Sequence, residues 1–372
     1  MDSISNLIQI KARELDLALI GITEPSQPVH FTLFEKWLSQ KRFGDMAYLN
    51  DLRSLKFRKN PSLLMPVCRS IIVVGLPYSV SIPSDNKAHG KIASYALKDD
   101  YHFVIREKLN KLLAYINEIS NLEVKGSIFC DSAPILEKEM AQRAGLGWIG
   151  KNSLLISSQF GSFMNLGELF LDIELPQSPI INEDLCGDCH LCIDACPTQC
   201  IQTNRTLNAE RCISYLTVEY KGRIDRHLRS MLDSWVFGCD ICQIICPYNK
   251  EIISKSNFEN SEKDPLRNKF KIKDFSEKEF FLKFGNSPIK RIKRNGILRN
   301  YTLFLGNSGS SESISDLKLL SKENDPVIRI YSAWALGRLK SPYIKNILEN
   351  NLMQEKNLNV IEEINHSLSA LN

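Results

Sequence analysis

The apolar positions of the first 175 residues follow two spacings in alternation, and this pattern predicts one mixed α/β domain. Helical spacing occurs in five segments, at residues 3–20, 31–39, 46–57, 100–119 and 135–143. Strand-like apolar runs occupy four others, at residues 69–78, 124–129, 154–156 and 163–173. Because the two kinds of segment are interleaved, we expect helices packed on a sheet.

Two helical stretches near the C-terminus resemble each other. Residues 295–307 carry an apolar stripe that leads to Leu305-Gly306, and Asp325-Pro326 opens a second stripe that leads to Leu336-Gly337. The recurrence is close to the period of a HEAT-type helical hairpin. Two such units are few for a solenoid, so we expect them to pack on another part of the chain.

These patterns divide the chain into three predicted domains. Leu175-Pro176-Gln177-Ser178-Pro179 is a short linker, and most of the cysteines follow it. The fold class is therefore α+β and multidomain. Its parts are a mixed α/β domain (1–175), a cysteine-rich ferredoxin-like domain (176–255) and a HEAT-like helical domain (256–372).

The cysteine spacing indicates iron–sulfur ligation. The chain reads Cys186-x2-Cys189-x2-Cys192-x3-Cys196-Pro197 and later Cys239-x2-Cys242-x3-Cys246-Pro247. In two-cluster ferredoxins three cysteines of each run hold one cube, and the fourth ligates the other cube. The first predicted ligand set is Cys186, Cys189, Cys192 and Cys246. The second is Cys196, Cys239, Cys242 and, by counting to eight ligands, Cys212.

Two alternatives remain at this point. Cys200 competes with Cys212 for the last ligand position, because a short helix after Cys196 could point it inward. A pair of zinc sites is disfavoured, because zinc sites lack the triple run followed by Cys-Pro.

Composition narrows the class of protein without defining the reaction. Among 372 residues 43% are hydrophobic and 24% charged, as in ordinary globular proteins, and a net charge of +4 is too small to indicate a polyanionic partner. The longest apolar run, residues 71–78, is too short to span a bilayer, and the start of the chain lacks a signal-peptide pattern. We therefore expect a cytoplasmic protein whose thiols bind metal.

Asp131 is the carboxylate with the most suggestive position. It follows an apolar strand and precedes a helix begun by Pro134. In a partly apolar pocket its pKa would rise and it could donate a proton, but the same position also suits a helix N-cap. His102 has no partner pattern, and we expect it to be an ordinary surface or core histidine.

The sequence contains only imperfect forms of a dinucleotide-binding motif and a base-on cobalamin motif. Gly145 to Gly150 formally match GxGxxG, but they follow a helix rather than a strand, so we expect their backbone to approach a large flat cofactor instead of a dinucleotide. A base-on cobalamin motif, Asp-x-His-x-x-Gly, begins at Asp100 and ends in Ile105 rather than glycine.

Basic residues cluster in the second half of the chain and could neutralise RNA phosphates. A solvated basic face is at least as good an interpretation of the charges alone. The clusters contain Lys221, Arg223, Arg226, His227, Arg229, Lys290, Arg291, Lys293, Arg294, Arg299, Arg329 and Arg338.

Several motifs together resemble the epoxyqueuosine reductase family over essentially the whole chain. They are Asp131-Ser-Ala-Pro-Ile-Leu-Glu137, Arg143-Ala-Gly-Leu-Gly-Trp-Ile-Gly-Lys-Asn152, Cys212-Ile-Ser-Tyr-Leu-Thr217, Gly238-Cys-Asp-Ile-Cys-Gln243 and Trp334-Ala-Leu-Gly337. The resemblance implies an oxidoreductase that reduces the epoxide of epoxyqueuosine at the tRNA wobble position, giving queuosine in the last step of that pathway.

The resemblance also implies cofactors and site residues. Electrons would pass from a flavodoxin- or ferredoxin-type donor through two [4Fe–4S] clusters to base-off cobalamin in a reductive-dehalogenase-like domain, and Asp131 would donate the proton. The expected protein is a monomer. Besides Asp131, the cofactor residues are expected from their place in the glycine segment and the flanking motifs. They are Arg58, Tyr95, Lys151, Asn152, Ser153, Gly167 and Ser214. The expected tRNA-binding residues are Lys221, Arg223, Lys293, Arg294 and Arg299.

Two other functions share part of this pattern. A reductive dehalogenase-like corrinoid enzyme acting on a small molecule would use the same cofactors, but the basic helical C-terminus argues against it. A ferredoxin-type electron carrier would leave the N-terminal domain and Asp131 without a role.

Overall fold

The computed structural model describes residues 4–82, 90–181, 184–255, 272–339 and 341–371. The strands are β1 (Leu19–Thr23), β2 (Ser70–Pro77), β3 (Lys91–Ile92), β4 (Gly126–Phe129), β5 (Trp148–Ile149), β6 (Leu155–Ile156), β7 (Met164–Leu171) and β8 (Trp235–Phe237). The helices are α1 (Ile4–Glu14), α2 (Phe31–Ser39), α3 (Leu52–Lys59), α4 (Tyr101–Ser120), α5 (Glu137–Arg143), α6 (Leu191–Asp194), α7 (Ile213–Val218), α8 (Arg226–Arg229), α9 (Ile241–Ile244), α10 (Lys250–Lys255), α11 (Glu277–Phe284), α12 (Lys293–Ser308), α13 (Ile314–Leu320), α14 (Pro326–Arg338), α15 (Ile344–Gln354) and α16 (Leu358–Ser369).

The chain forms two compact units. Unit 1 consists of Met1–Val80, Lys98–Glu210 and Ile241–Asn257, and unit 2 of Ser81–Leu97, Arg211–Asp240 and Phe258–Asn372. The cysteine-rich segment is thus divided between the units, whereas the sequence predicts it as a separate domain.

Unit 1 is built on an antiparallel sheet with the strand order β1-β2-β7-β4. Alternate residues of β2 point to opposite faces, which is the two-residue period of a strand. Ile72 and Val74 pack with α1 and α4, while Ile71 and Val73 pack with α5. Because helices cover both faces, the strand reads as an unbroken apolar run.

The predicted elements of this unit are mostly confirmed, with two corrections. The first predicted helix ends at Glu14, and residues 19–23 form strand β1 instead. The predicted helix at 46–57 is a 3₁₀ turn, Ala47–Leu49, followed by α3. Asp51 separates the two because its side chain accepts a hydrogen bond from Ser54 N, which caps α3.

Unit 2 is mainly helical. Helix α12 packs against α14, and α14 packs against α16. Gly306 and Gly337, which follow the two predicted apolar stripes, both lie inside helices. A Cβ on Gly306 would lie 2.7 Å from Trp334 Cζ3, and one on Gly337 would lie 2.7 Å from Ser367 Cβ. These glycines therefore allow two pairs of helices to approach closely.

The helical region is broader than the two stretches that the sequence predicts, since α13, α15 and α16 were not expected. This unit also contains a short parallel pair of strands, β3 and β8. Among the described residues, no helix is both long enough and apolar enough to cross a membrane.

Candidate functional site

A cavity of about 600 Å³ lies in unit 1 and collects several predicted site residues. Arg58, Asp131 and Ser153 line it, together with aromatic side chains such as Phe34 and Trp37. Apolar walls with a few polar groups are typical of cofactor and substrate pockets. The cavity is the candidate active site.

Asp131 stands at the edge of this cavity in a strained loop. It comes two residues after the end of β4 and has a φ of +56°, in the left-handed region that non-glycine residues rarely adopt. Its backbone N–H donates a hydrogen bond to Glu137 Oε1. Its side chain is about 46% exposed. Asp131 does not cap α5, whose N-cap position is Leu136, so the sequence-based N-cap alternative is wrong.

His102 contacts Asp131, and the sequence did not reveal this pairing. His102 Nε2 lies 3.3 Å from Asp131 Oδ2, and Nδ1 lies 2.6 Å from Asp100 Oδ1. The bond to Asp131 and the additional Asp100 carboxylate raise the pKa of His102, against an opposing effect of burial. An imidazole between two carboxylates can hold a proton next to the cavity.

Two further carboxyl groups surround Asp131. Glu137 lines the cavity, and burial together with the nearby Asp131 charge raises its pKa to about 7. Glu168 lies on β7 opposite Phe129 and Val73, is fully buried, and has neither carboxyl oxygen hydrogen-bonded to a described residue. Burial, followed by repulsion from Glu137 and Asp131, raises the pKa of Glu168 well above its ordinary value. This part of the site therefore favours protonated carboxyl groups.

The cavity also contains a buried cation. Arg58 is only 6% exposed, and its Nη1 has no hydrogen-bond partner among the described residues. Its guanidinium lies 5.6 Å from the ring centroid of Phe34. A buried donor without a partner is costly, so this position suits a bound ligand with an oxygen acceptor.

A second histidine lines the cavity away from the Asp131 pair. His30 Nδ1 and His30 N each lie 2.8 Å from Glu139 Oε2, and this buried carboxylate also accepts from Val29 N. The bond to Glu139 raises the pKa of His30. The contacts fix the loop before α2 to helix α5.

The other predicted cofactor residues have varied positions. Lys151 Nζ donates to Gly187 O at 2.6 Å, and Asn152 is buried with its Oδ1 accepting from Leu154 N. Gly167 lies in the sheet, where a Cβ would come 2.4 Å from Ile105 Cγ2, so it serves helix packing. Tyr95 and Ser214 belong to unit 2.

The glycine-rich segment from Gly145 to Gly150 lies close to other parts of the chain. A Cβ on Gly147 would lie 2.0 Å from Ile156 O, and Gly145 has a φ of +76°. The first glycine permits close pairing of β5 with β6, and the second permits a left-handed turn after α5. Two residues of this segment, Trp148 and Ile149, also line the cavity. The expected approach of its backbone to a flat cofactor stays a prediction.

Four thiols of unit 1, which form the first predicted ligand set, lie near one another. Burial and the neighbouring thiols of Cys186, Cys246 and Cys189 raise the pKa of Cys192. Cys246 and Cys186 pack around Trp148, whose Nε1 lies 3.5 Å from Cys186 Sγ. The described residues contain no group of three or more acidic, histidine or cysteine side chains arranged around a single metal ion. A cube has a separate iron for each thiolate, so this donor set fits a [4Fe–4S] cluster.

The remaining cysteines lie in both units. Cys196 and Cys242 are in unit 1, and Cys212 and Cys239 are in unit 2. Cys200 is buried, with its Sγ 3.5 Å from Cys196 Sγ. Thiolates bound to two irons of one cube lie farther apart, so this direct contact disfavours Cys200 as a ligand beside Cys196.

Among the predicted tRNA-binding residues, the lysines are exposed, whereas the arginines contact carboxylates or backbone carbonyl groups of the protein. Lys221 and Lys293 are exposed. Arg294 forms a bidentate pair with Glu323, with distances of 2.7 and 3.1 Å. Arg299 is 5% exposed and donates to Leu216 O, Tyr220 O and Asn300 Oδ1. Arg299 is therefore a structural residue, and its expected contact with tRNA phosphates is incompatible with this burial.

Arg223 belongs to a buried network instead of a free basic patch. Its guanidinium lies 2.9 Å from Glu362 and 3.3 Å from Glu363. Glu363 is fully buried and also pairs with Arg226 at 3.0 Å and with Arg229 at 3.1 Å. The contact with Arg229 is an ion pair without hydrogen-bond alignment. The network joins the segment around α8 to α16.

Models of known protein families match the cysteine-rich segment and the segment that contains Asp131. A model described as a 4Fe-4S double cluster binding domain matches residues 185–249. Another, described as epoxyqueuosine reductase QueG, matches residues 58–132, which contain Arg58, His102 and Asp131.

Similar proteins extend the match over nearly the whole chain. The epoxyqueuosine reductase of Pseudomonas aeruginosa is 36% identical over 338 residues, which are 88% of this chain and 92% of the relative. A crystal structure of an epoxyqueuosine reductase with an epoxyqueuosine-modified tRNA-Tyr stem loop matches with a TM-score of 0.86 at 27% identity, covering 99% of this chain and 100% of the other. The Streptococcus thermophilus epoxyqueuosine reductase structure matches with a TM-score of 0.88 at 27% identity, covering 98% of both chains.

The double-cluster segment and the similarity to reductases over most of the chain define the class as an iron–sulfur oxidoreductase. Within this class, the chain belongs to the epoxyqueuosine reductase family.

Proposed function

We propose that this chain reduces the epoxide of epoxyqueuosine at the wobble position of tRNA to the alkene of queuosine, the last step of queuosine biosynthesis. The reaction consumes two electrons and two protons, and it releases the epoxide oxygen as water. The observation that carries the proposal is Asp131 at the edge of the cavity in a chain of this family.

Asp131 is proposed as the group that protonates the departing oxygen. Opening the ring places negative charge on that oxygen, and a positioned acid lowers the barrier by neutralising it. The strained loop, with Asp131 at a φ of +56°, supports this role because strained backbone is often retained at reactive positions.

The cavity residues fit a corrinoid in its base-off form. Arg58 offers a buried donor without a partner, and a corrin carries several amide oxygens that can accept from it. When bound, the corrinoid supplies low-potential cobalt chemistry at the epoxide carbon. Arg58 would then orient the ligand, Ser153 would line the same cavity, and the aromatic walls would exclude water.

Two [4Fe–4S] clusters are proposed to supply the electrons. The first uses Cys186, Cys189, Cys192 and Cys246, and the second uses Cys196, Cys239, Cys242 and Cys212. A flavodoxin- or ferredoxin-type protein would be the external donor. By function, the chain is proposed to have three parts. They are a reductive-dehalogenase-like cobalamin domain at the N-terminus, a ferredoxin-like domain and a HEAT-like domain.

Unit 2 is proposed to hold the tRNA. Lys221 and Lys293 are exposed and can contact phosphates, while the engaged Arg223 and Arg294 would position the segments that carry them. The modified base must leave the anticodon stack to reach a cavity, because chemistry on a base requires its exposure. We further propose that the enzyme acts as a monomer in the cytoplasm, where its tRNA substrate is found.

The function is tested by reconstitution. The full chain is loaded with iron, sulfide and cobalamin, given a low-potential reductant and tRNA carrying epoxyqueuosine, and the nucleosides are analysed. Queuosine formation that requires both the reductant and the corrinoid is expected. Absence of queuosine from the fully loaded protein would contradict the proposal.

The cluster assignment has its own test, with a matched control. Cys212→Ala should remove the second cluster and about half of the bound iron, whereas Cys200→Ala should retain all of it. Iron analysis and electron paramagnetic resonance of the reduced protein distinguish the two variants. Loss of iron in the Cys200 variant alone would reverse the assignment.

A further inference from the structure

One imidazole is fixed against the proposed acid from both sides. His102 lies in the first turn of α4, with Nε2 3.3 Å from Asp131 Oδ2. Its Nδ1 lies 2.6 Å from Asp100 Oδ1, and Asp100 is itself only 5% exposed. The same Asp100 oxygen accepts from His102 N at 3.2 Å, which caps the helix. The ring therefore has one orientation.

We infer that His102 is the positioning residue and proton store of Asp131, so that the acid of this site is an Asp131–His102 pair held by Asp100. The inference rests on the proposed function and extends it to residues that nothing in the family comparison assigns. It concerns the source of the proton and not the redox chemistry.

The pair and the solvent together supply the proton, and no further reactant is needed. The pair holds one proton as an imidazolium and a carboxylate. As the Nε2–H bond of His102 breaks, this proton passes to Asp131, and the O–H bond formed there breaks as the proton passes to the departing epoxide oxygen. No electrons are transferred in either step. The neutral ring keeps its Nδ1–H on Asp100, and its side chain, 29% exposed, regains a proton from solvent.

The charges around the ring favour this arrangement. Asp100 faces it from the start of α4, Asp131 faces it from the loop after β4, and Glu137 adds a further carboxyl group from α5. The Tyr101 ring stacks on the imidazole with centroids 4.1 Å apart. The Asp131 and Asp100 carboxylates stabilise an imidazolium at His102, so the pair keeps its proton to a higher pH than an isolated carboxyl group would.

The first measurement does not depend on turnover. Exchange of the histidine Cε1 hydrogen with deuterium, followed by peptide mass spectrometry across pH, gives the pKa of each histidine in the full cluster-loaded chain. We expect His102 to titrate above the ordinary value of about 6.5 and to fall toward or below it in Asp131→Asn and in Asp100→Asn. An ordinary value, or one that neither variant changes, would overturn the inference.

The second measurement is single-turnover queuosine formation as a function of pH. His102→Gln should lower the rate at neutral pH by about 10- to 100-fold, within the range of general acid–base effects. Its activity should also disappear at lower pH than in the unaltered protein, because a lone carboxyl group loses its proton earlier. Asp100→Asn, which retains helix capping, should shift the profile in the same direction by less.

Controls separate this role from folding and from the proposed function itself. His366→Gln removes an exposed imidazole from α16 and should leave the rate and profile unchanged. Corrinoid absorbance and tRNA affinity should be the same in all variants. An unchanged rate and profile in His102→Gln would refute the inference. If the unaltered enzyme forms no queuosine, the proposed function fails, and the exchange measurement alone decides the pairing.

Discussion

Two fully buried carboxyl groups, one in each unit, have opposite surroundings. In unit 2 the buried carboxylate of Glu363 pairs with three arginines, and Arg229 additionally lies 5.0 Å from the Tyr331 ring centroid. In unit 1 the equally buried Glu168 has both oxygens without a partner among the described residues, and the Arg58 guanidinium at the cavity has an unsatisfied nitrogen.

This difference indicates which unit performs chemistry. Compensated charges hold segments together and resist any change of protonation, because the pair is stable only when both members are ionised. Uncompensated groups next to a cavity are expensive in a free protein, and they can bind a ligand or exchange a proton. Arg58 at the cavity and Glu168, which lies near the cavity residue Glu137, are of the second kind. The arginines around Glu363 are of the first.

The largest expected effect comes from removing the proposed acid. Asp131→Asn keeps the shape of the side chain but cannot donate a carboxyl proton, so queuosine formation should fall by at least about 100-fold. Iron content and corrinoid binding should not change. The measurement is single-turnover nucleoside analysis, and full activity in this variant would remove Asp131 from the acid role.

Removing the buried carboxylate of Glu363 should lower the stability of unit 2. Glu363→Gln leaves the fully buried Arg229 without its counter-charge, and we expect a loss of about 3–5 kcal/mol in the free energy of unfolding of this unit. Thermal denaturation measures the loss. The matched control is Glu362→Gln, which removes only an exposed partner of Arg223 and should change the melting temperature little. An equal loss of stability in both variants would contradict a special role for the buried carboxylate.

Glu168→Gln, unlike Glu363→Gln, should not lower the free energy of unfolding near neutral pH. The pKa of Glu168 in the folded protein is raised above the unfolded value, so the folded state retains a proton that the unfolded chain loses. Stability should therefore fall as pH rises above the ordinary carboxyl range, until it reaches the folded pKa. Glu168→Gln should flatten this part of the pH–stability curve and should not destabilise unit 1 near neutral pH. A curve with unchanged slope would show that Glu168 is ionised in the fold.

The smallest effect concerns the exposed lysines. Lys221→Glu and Lys293→Glu should each weaken tRNA binding several-fold and reduce the slope of log affinity against log salt by about one. Lys111→Glu, an exposed change on α4 of unit 1, serves as the control. Unchanged salt dependence in the two unit 2 variants would place the RNA contact elsewhere.

Several parts of this molecule follow from local sequence alone. The two-residue period of Ile71 to Val74 fixes which side chains face α1 and α4 and which face α5. The x2 spacing from Cys186 to Cys192 brings thiols together through one local turn. Strand β1 was missed because helical and strand spacing are hard to distinguish in the short apolar run Leu19–Thr23.

Other parts depend on contacts between distant segments. A run of basic residues looks the same whether its charges meet solvent or carboxylates, and only the position of α16 decides that Arg223, Arg226 and Arg229 meet Glu363. The glycines at 306 and 337 look like helix ends, but neighbouring helices make them packing sites.

For the candidate site the division is equally clear. The cluster-binding spacing, the apolar strand before Asp131 and the position of that carboxylate after the strand can all be read from the order of residues. The contact of His102 with Asp131 and the buried position of Glu168 near Asp131 depend on the assembled fold. The reason is physical: a residue type records what a side chain can donate or accept, whereas its protonation and its partner depend on which distant groups the fold brings within a few ångströms.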